Sequence, residues 1–304
     1  MKGDGEAGGE IQDAVGGTPE AQGRATPPVF LADTAELDRG SITLTGAEGR
    51  HAATVRRLSA GERADVTDGA GTIAECTVTR TGPGVIELAV LTKRTIPAAE
   101  PRIVVVQAIP KGDRGELAVE IMTEVGVDEV IAWQAERSVA RWRRDRADRG
   151  DGADRGDRGD GVGRGDRGDG VGRGDRVGRA DRAGKALARW QATAREAAKQ
   201  SRRAWIPEVT GPERTPAVAR RVAAAGLAIL LDPGAEAAFG SLAMPHQGEI
   251  VVIVGPEGGV SPAEADALTG AGAVPARLGP TVLRTSSAGA VAAALALASS
   301  DRWA

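Results

Sequence analysis

Between Pro28 and about Ala98 the apolar positions alternate with polar ones over short runs. In SITLTG (41–46) Ile42 and Leu44 fall on one face, and in TIAECTVTR (72–80) Ala74, Cys76 and Val78 fall together, the period-2 pattern of strands with one buried side. An Asp68-Gly69 pair inside VTDGAGT (66–72) supplies a turn. The pattern predicts a small β-barrel or sandwich over 28–98. One short helix is expected in AEGRHAATVRRLSAGE (47–62), carrying Arg50, His51, Arg56 and Arg57. Those four read either as a solvated face or as a group that meets RNA.

From Pro101 the apolar runs become continuous and are separated by segments of helical spacing. RIVVVQAI (102–109) reads as a buried strand, GELAVEIMTEVGV (115–127) puts Leu117, Ile121 and Val125 on one helical face, and DEVIAWQA (128–135) is the next strand. That is a βαβ unit. Helix PAVARRVAAAG (216–226), strands LAILLD (227–232) and EIVVIVG (249–255), helix SPAEADALTGAG (261–272), strand AVPARL (273–278) and a terminal helix follow. Residues 99–304 are therefore expected to form an α/β domain around a mostly parallel sheet.

Two stretches break the pattern. Residues 1–27 are rich in Gly and acids, and 143–184 repeats Arg, Gly and Asp with almost nothing apolar. Neither holds enough apolar surface to offset the entropy of ordering, so a disordered tail and a disordered surface insertion are expected. Arg-Gly segments bind RNA in other settings, but here aspartates nearly balance the arginines, which favours a solvated spacer.

Composition narrows the function classes. A chain of 304 residues that is 41% hydrophobic can bury a real core, and its net charge of -3 leaves any nucleic-acid contact to local basic faces. The single cysteine, Cys76, excludes an internal disulfide or a cysteine-built zinc site and fits a reducing compartment. The N-terminus has no apolar signal core, and AGAVAAALALA (288–298) is too short to span a bilayer, so a cytoplasmic protein without a membrane partner is expected.

The densest chemistry lies in VVIVGPEGGVSPAEADAL (251–268). Ser261-Pro262-Ala263-Glu264 is a capping box with proline at the first helical position, so a helix starts directly after Gly259. Loops between a parallel strand's C-terminal end and a helix are where α/β sheets bind ligands, and glycines let a ligand lie against main-chain groups. No Lys follows Gly259 as a phosphate-cradling Walker loop requires, and Pro256 and the late position oppose a dinucleotide fingerprint. A plain structural turn remains the alternative. A second strand, Gly-Pro loop and helix, ARLGPTVLRTSSAGAVAAALALA (276–298), invites one pocket shared by both loops.

GPEGGVSPAE, LGPTVLRTSSA, IPKGDRGELAVEIMTEVGVDEVIAWQAERS and EAAKQSRRAWIPEV together resemble the RsmE family of 16S ribosomal RNA (uracil-N3)-methyltransferases, in the SPOUT superfamily. The resemblance runs from about Val29 to the C-terminus and skips the insertion. It implies an α/β, SPOUT-type, trefoil-knotted domain with a mostly parallel sheet, preceded by a small PUA-like β-barrel. It also implies S-adenosyl-L-methionine as cofactor, 16S rRNA of the small ribosomal subunit as substrate, and a homodimer. The cofactor residues it implies are Leu231, Gly255, Pro256, Glu257, Gly258, Gly259, Leu278, Gly279, Val282, Leu283 and Arg284. The commoner family form of the last motif is LRTETA, whereas Ser286-Ser287 follow Thr285 here.

Methyl transfer to uracil N3 needs a deprotonated imide, two positioned partners and stabilised negative charge on the base, and no metal. Arg284 is the candidate for that stabilisation, against a structural salt bridge as the alternative. Glu257 is the weaker candidate, as a base. On KALARWQATAREAAKQSRR (185–203), Leu187, Trp190, Ala194, Ala197 and Ala198 share one side, while Arg195, Lys199, Arg202 and Arg203 form a basic stripe on the other. That stripe is either solvated or phosphate-binding, and the resemblance favours RNA. Lys111, Arg114 and Arg137 are further RNA candidates. The competing class is a non-catalytic RNA-binding or ribosome-assembly protein that keeps the fold as a scaffold.

Overall fold

The computed structural model of the chain describes residues 26–142 and 174–303. Residues 1–25 of the expected N-terminal tail and residues 143–173 of the expected insertion lie outside the described residues.

The alternating half forms one five-stranded sheet. Its strands are β1 (Val29–Leu31), β2 (Ser41–Leu44), β3 (Arg63–Thr67), β4 (Thr72–Gly82) and β5 (Val85–Thr95), in the order β1-β3-β4-β5-β2. All pairs are antiparallel except β1 with β3. Register shifts between Glu75 and Cys76 and between Val78 and Arg80 bend the long β4-β5 ribbon. Phe30, Ile42, Leu44, Val66, Ala74, Cys76, Val78, Ile86 and Leu88 then share one core. Burial pushes the Cys76 thiol up to about 11, so it stays protonated and packs as a small apolar group. Two short helices, α1 (Thr34–Leu37) and α2 (Gly46–Arg50), follow β1 and β2, and α2 runs on into a single π-helical turn over His51–Val55.

The second half is built on six parallel strands. They are β6 (Arg102–Ala108), β7 (Glu129–Trp133), β8 (Glu208–Glu213), β9 (Leu227–Leu231), β10 (Glu249–Val254) and β11 (Val274–Ala276), ordered β11-β9-β10-β6-β7-β8. Strands β6, β7 and β10 are buried on both faces, which is why they read as unbroken apolar runs. One face packs on α3 (Arg114–Val125), α4 (Gly174–Gln200) and α7 (Thr285–Ser299), the other on α5 (Thr215–Ala224) and α6 (Pro262–Gly270).

Three expectations are corrected. Helix α4 begins at Gly174, so residues 174–184 of the expected disordered insertion are helical; Ala183 is already buried, and elongating a helix anchored by packed Trp190 and Ala194 adds a hydrogen bond per residue at low entropic cost. On α3 the buried stripe is Gly115, Ala118, Val119 and Met122, whereas Leu117 is 46% exposed and Ile121 and Val125 only partly buried. Small residues win the inner face because α4 comes close: a Cβ on Gly115 would lie 2.5 Å from the Trp190 ring.

The third concerns the basic stripe. Leu187, Trp190, Ala194, Ala197 and Ala198 do pack inward, but of the four basic residues Lys199 is buried, Arg203 is half-buried, and exposed Arg202 is already engaged, which leaves Arg195 exposed on the helix surface. Lys199 is buried between Glu48 of α2 (2.9 Å) and Glu196 (3.1 Å). Past the end of the helix, Arg202 bonds the Asp65 carboxylate and the Pro27 carbonyl, and Arg203 donates to the carbonyls of Thr123 (2.9 Å) and Val127 (2.6 Å). Burial holds the pKa of Arg203 below the usual arginine value despite the pull of Asp128. Gly71 N donates to Ala204 O, and Trp205 Nε1 to Ile96 O. Lys199 and Arg202 thus tie the two sheets' domains together, and Arg203 ties the segment that joins them to the α/β core.

Candidate functional site

A cavity of about 410 Å³ opens at the C-terminal ends of β9, β10 and β11, within the size range of small-molecule sites. Three strand-end loops converge on it, because neighbouring parallel strands all release their chains at the same rim. The loop after β9 gives Leu231 and Asp232, the glycine loop after β10 gives Gly255, Pro256, Glu257 and Gly259, and the loop after β11 gives Leu278, Gly279, Val282 and Leu283. Thr285 and Ala288 of α7 close one side.

The glycine loop is held rigidly. Gly259 N bonds Pro256 O in a tight turn, and Gly259 takes φ +73°, a backbone region that favours glycine. The capping box forms as the sequence predicts: Ser261 Oγ accepts from Glu264 N, and the Glu264 carboxylate reaches back to Ser261 N at 3.3 Å. Glu264 is buried and also accepts from Thr215 Oγ1 (2.8 Å) and Glu136 N (2.9 Å), which binds the start of α6 to the ends of β7 and β8.

Of the eleven residues expected to meet a cofactor, nine line this cavity and two do not. Gly258 turns the other way: a Cβ there would sit 3.4 Å from Arg137 Cβ, and Arg137 donates to the Gly258 carbonyl. Arg284 is the N-cap residue of α7, exposed between the lining residues Leu283 and Thr285, and its side chain has no ion-pair partner among the described residues. Glu257 lines the cavity, and its carboxylate accepts the Lys111 main-chain N–H at 3.1 Å, so one of its oxygens already braces the loop after β6. The Ser287 hydroxyl donates to the Arg284 carbonyl instead of capping a helix N–H.

Sequence reasoning missed Asp232, Thr281 and Thr285. Asp232 was findable, since Asp-Pro-Gly directly after an apolar strand marks a strand-end turn; Asp232 Oδ1 accepts from Gly234 N at 2.8 Å. Among the described residues, Asp232 and Glu257 are the only charged ones lining the cavity, and none of its lining is basic. Such a lining suits a ligand carrying positive charge and does not suit a polyphosphate. A Cβ on Gly279 would meet nothing within 4 Å, so this wall leaves room for a ligand against the main chain. Among the described residues no cluster of His, Cys, Asp and Glu could hold a metal ion.

The RNA candidates fall into two groups. His51, half-buried and edge-on to Phe30 at 5.8 Å, lines a cleft of about 140 Å³ with Arg56, Lys199 and Arg202. Arg50 and Arg57 are exposed on the same segment, and Arg195 is exposed on α4. Lys111 on the loop after β6 and Arg137 on the loop after β7 instead meet the glycine loop, and Arg114 opens α3.

This architecture matches known families. Residues 98–151 and 174–297 match the RNA methyltransferase domain family, and residues 44–91 match the RNA methyltransferase PUA domain family. The chain is thus built as an RNA methyltransferase. The ribosomal RNA small subunit methyltransferase E of Mycobacterium bovis is 42% identical over 280 residues, covering 90% of this chain and 93% of the relative. The Bacillus subtilis protein of the same name is 24% identical, covering 82% and 86%. A crystal structure of ribosomal RNA small subunit methyltransferase E from Neisseria gonorrhoeae, bound to S-adenosyl methionine, shares the fold with a TM-score of 0.70 at 23% identity, covering 90% and 98%. The chain belongs to the ribosomal RNA small subunit methyltransferase E family.

Proposed function

We propose that this protein transfers a methyl group from S-adenosyl-L-methionine to N3 of a uridine in 16S rRNA of the small ribosomal subunit, at the position-1498 type of site. The observation that carries the reading is the cavity at the strand ends, with its glycine main chain, its two carboxylates and, among the described residues, no basic side chain. The cofactor supplies a methyl group activated on a sulfonium. Gly255, Gly259 and Gly279 offer main-chain surface for its adenosine part, and Asp232 and Glu257 complement its positive charge.

The remaining work falls to residues that orient the base and steady its charge. In the transfer the N3 proton would pass to solvent water, the N3–carbon bond would form with the methyl group and the carbon–sulfur bond would break, releasing the neutral thioether. Arg284, permanently charged at the rim and without an ion-pair partner among the described residues, donates to the uracil oxygens as negative charge develops there. Glu257 braces Lys111 and serves the loop first, so a role as base is secondary. Nucleoside mass spectrometry of 16S rRNA from a strain lacking the gene, with and without the gene restored, tests the assignment. Restored N3-methyluridine is expected; rRNA identical in the two strains overturns it.

The working form is a homodimer, supported by an apolar surface that the fold leaves uncovered. Leu117 on α3 and Val291 and Leu295 on α7 are 46%, 39% and 37% exposed, on two helices packed side by side. Ala293 is fully buried in the core and Ala294 half-buried, so an arginine at Val291 probes this face more cleanly. Val291→Arg is expected to shift sedimentation equilibrium toward monomer and to lower methyl transfer with it. No helix among the described residues is long and apolar enough to cross a membrane, and a cytoplasmic setting fits a ribosomal RNA substrate.

A further inference from the structure

A second pocket, of about 370 Å³, lies at the same rim, over the C-terminal ends of β7 and β8. It shares a wall with the cofactor cavity: in the first turn around α6, Val260 and Ala265 line the cavity while Glu264 lines the second pocket. The chemistry of the two differs. The second pocket is lined by Arg141 and Arg214, both exposed, and by Trp142, half-buried and edge-on to Trp190 at 4.9 Å. Neither arginine is ion-paired among the described residues; Arg141 makes one long contact of 3.5 Å to the Glu136 carbonyl. The Glu136 and Glu264 carboxylates also line the pocket, and the Glu264 Oε1 there already accepts from Glu136 N and Thr215 Oγ1.

We propose that this pocket takes a nucleotide of the RNA flanking the methylated uridine, its base stacked on Trp142 and its phosphate held by Arg141 and Arg214. An aromatic ring beside guanidinium groups is how single-stranded RNA is gripped, since every base has a π face and every linkage a charge. The position fits, because RNA delivering a base to the cofactor cavity has its neighbouring nucleotides at the same rim. It also gives the glycine loop a contact with the bound strand. Glu264 forms part of this pocket and starts the helix after the loop, and Arg137, from the segment that carries Arg141, donates to Gly258. This inference rests on the proposed reading of the cavity as an rRNA methylation site.

The test uses the full-length protein and a single-stranded RNA oligonucleotide spanning the target uridine, made also with abasic nucleotides at each flanking position. Loss of one stacked base is expected to cost about fivefold to a hundredfold in RNA affinity. Trp142→Ala should therefore weaken RNA binding by that factor, leave S-adenosylmethionine affinity within about twofold, and be insensitive to the one abasic substitution that weakens the wild type. Trp142→Phe should recover much of the loss. Arg214→Ala, at an exposed position, should weaken RNA binding and flatten its salt dependence without disturbing the fold. Wild-type RNA affinity and salt dependence in Trp142→Ala and Arg214→Ala, in a protein that methylates normally, overturns the pocket alone. A wild-type protein that binds S-adenosylmethionine but neither binds nor methylates the RNA overturns the reading on which the pocket rests, and the pocket with it.

Discussion

At their N-terminal ends, strands β6, β7, β8 and β10 begin with Arg102, Glu129, Glu208 and Glu249, and these close on one another with Arg221 of α5. Arg102 meets Glu129 at 2.8 Å and Glu249 at 3.1 Å, and Arg221 meets the same two at 2.7 and 2.8 Å. Burial works against the charge on Arg102, yet Glu129 and Glu249 outweigh it and hold its pKa above the usual arginine value. At the C-terminal ends of the same sheet the loops are glycine-rich, the cavity carries two carboxylates without a basic partner in its lining, and Arg284 stands unpaired among the described residues. One rim satisfies its charges internally and spends them on holding strands together. The other leaves main chain and charge available to ligands, which is where open parallel sheets bind them.

Four substitutions break or sharpen that contrast. The largest effect is expected from Gly279→Phe, which places a ring where a Cβ now meets open space in the cavity lining. Titration calorimetry should show S-adenosylmethionine affinity falling by at least about a hundredfold, roughly 2.7 kcal/mol, while denaturant unfolding changes little. Arg284→Ala should keep cofactor affinity within about tenfold but lower single-turnover methyl transfer well beyond that, because its charge acts on the base in the transition state. Equal losses in affinity and turnover would make Arg284 a cofactor ligand instead.

Glu129→Ala tests the opposite rim. Removing a buried carboxylate shared by Arg102 and Arg221 should destabilise the fold by about 2–3 kcal/mol, at or below the lower edge for a broken buried pair since both arginines are about one third exposed. Turnover per folded molecule should stay normal, as read by urea unfolding beside a methyl-transfer assay. The smallest effect belongs to Gly258→Ala, whose new methyl meets Arg137 and not the cavity. Cofactor affinity within about twofold of wild type is expected, and a large loss would mean that the ligand reaches further round the loop than the lining residues indicate.

Much of this was legible before any coordinates. Periodicity alone separated the alternating half from the half with continuous runs, and Ser261-Pro262-Ala263-Glu264 fixed where α6 starts, because capping chemistry is local and its partners lie within four residues. The glycine loop marked the site for the same reason. The outward side of α3 was not legible: Leu117, Ile121 and Val125 look like a core stripe, and only the approach of Trp190 shows why Gly115 and Ala118 take the inside. Nor was the fate of the basic stripe. Helical spacing places Arg195 and Lys199 on a common side of α4, but Glu48, Asp65 and the carbonyls of Thr123 and Val127, which claim Lys199, Arg202 and Arg203, come from segments far away in the chain.

By itself the sequence determined strands β2, β4, β6, β7 and β9 to β11 and helices α3, α5 and α6 to within a few residues, and the loop on which the chemistry sits, since each follows from side-chain period, capping and backbone preference over short range. Tertiary structure alone decided which of its charges are spent inside and which are free, which face of Gly258 a ligand can see, that Asp232 joins the cavity, and that a second, aromatic and basic pocket shares the wall of the first. Those are outcomes of distance between segments remote in sequence, and pairing, burial and shared walls exist only once the sheet has brought its strand ends to one rim.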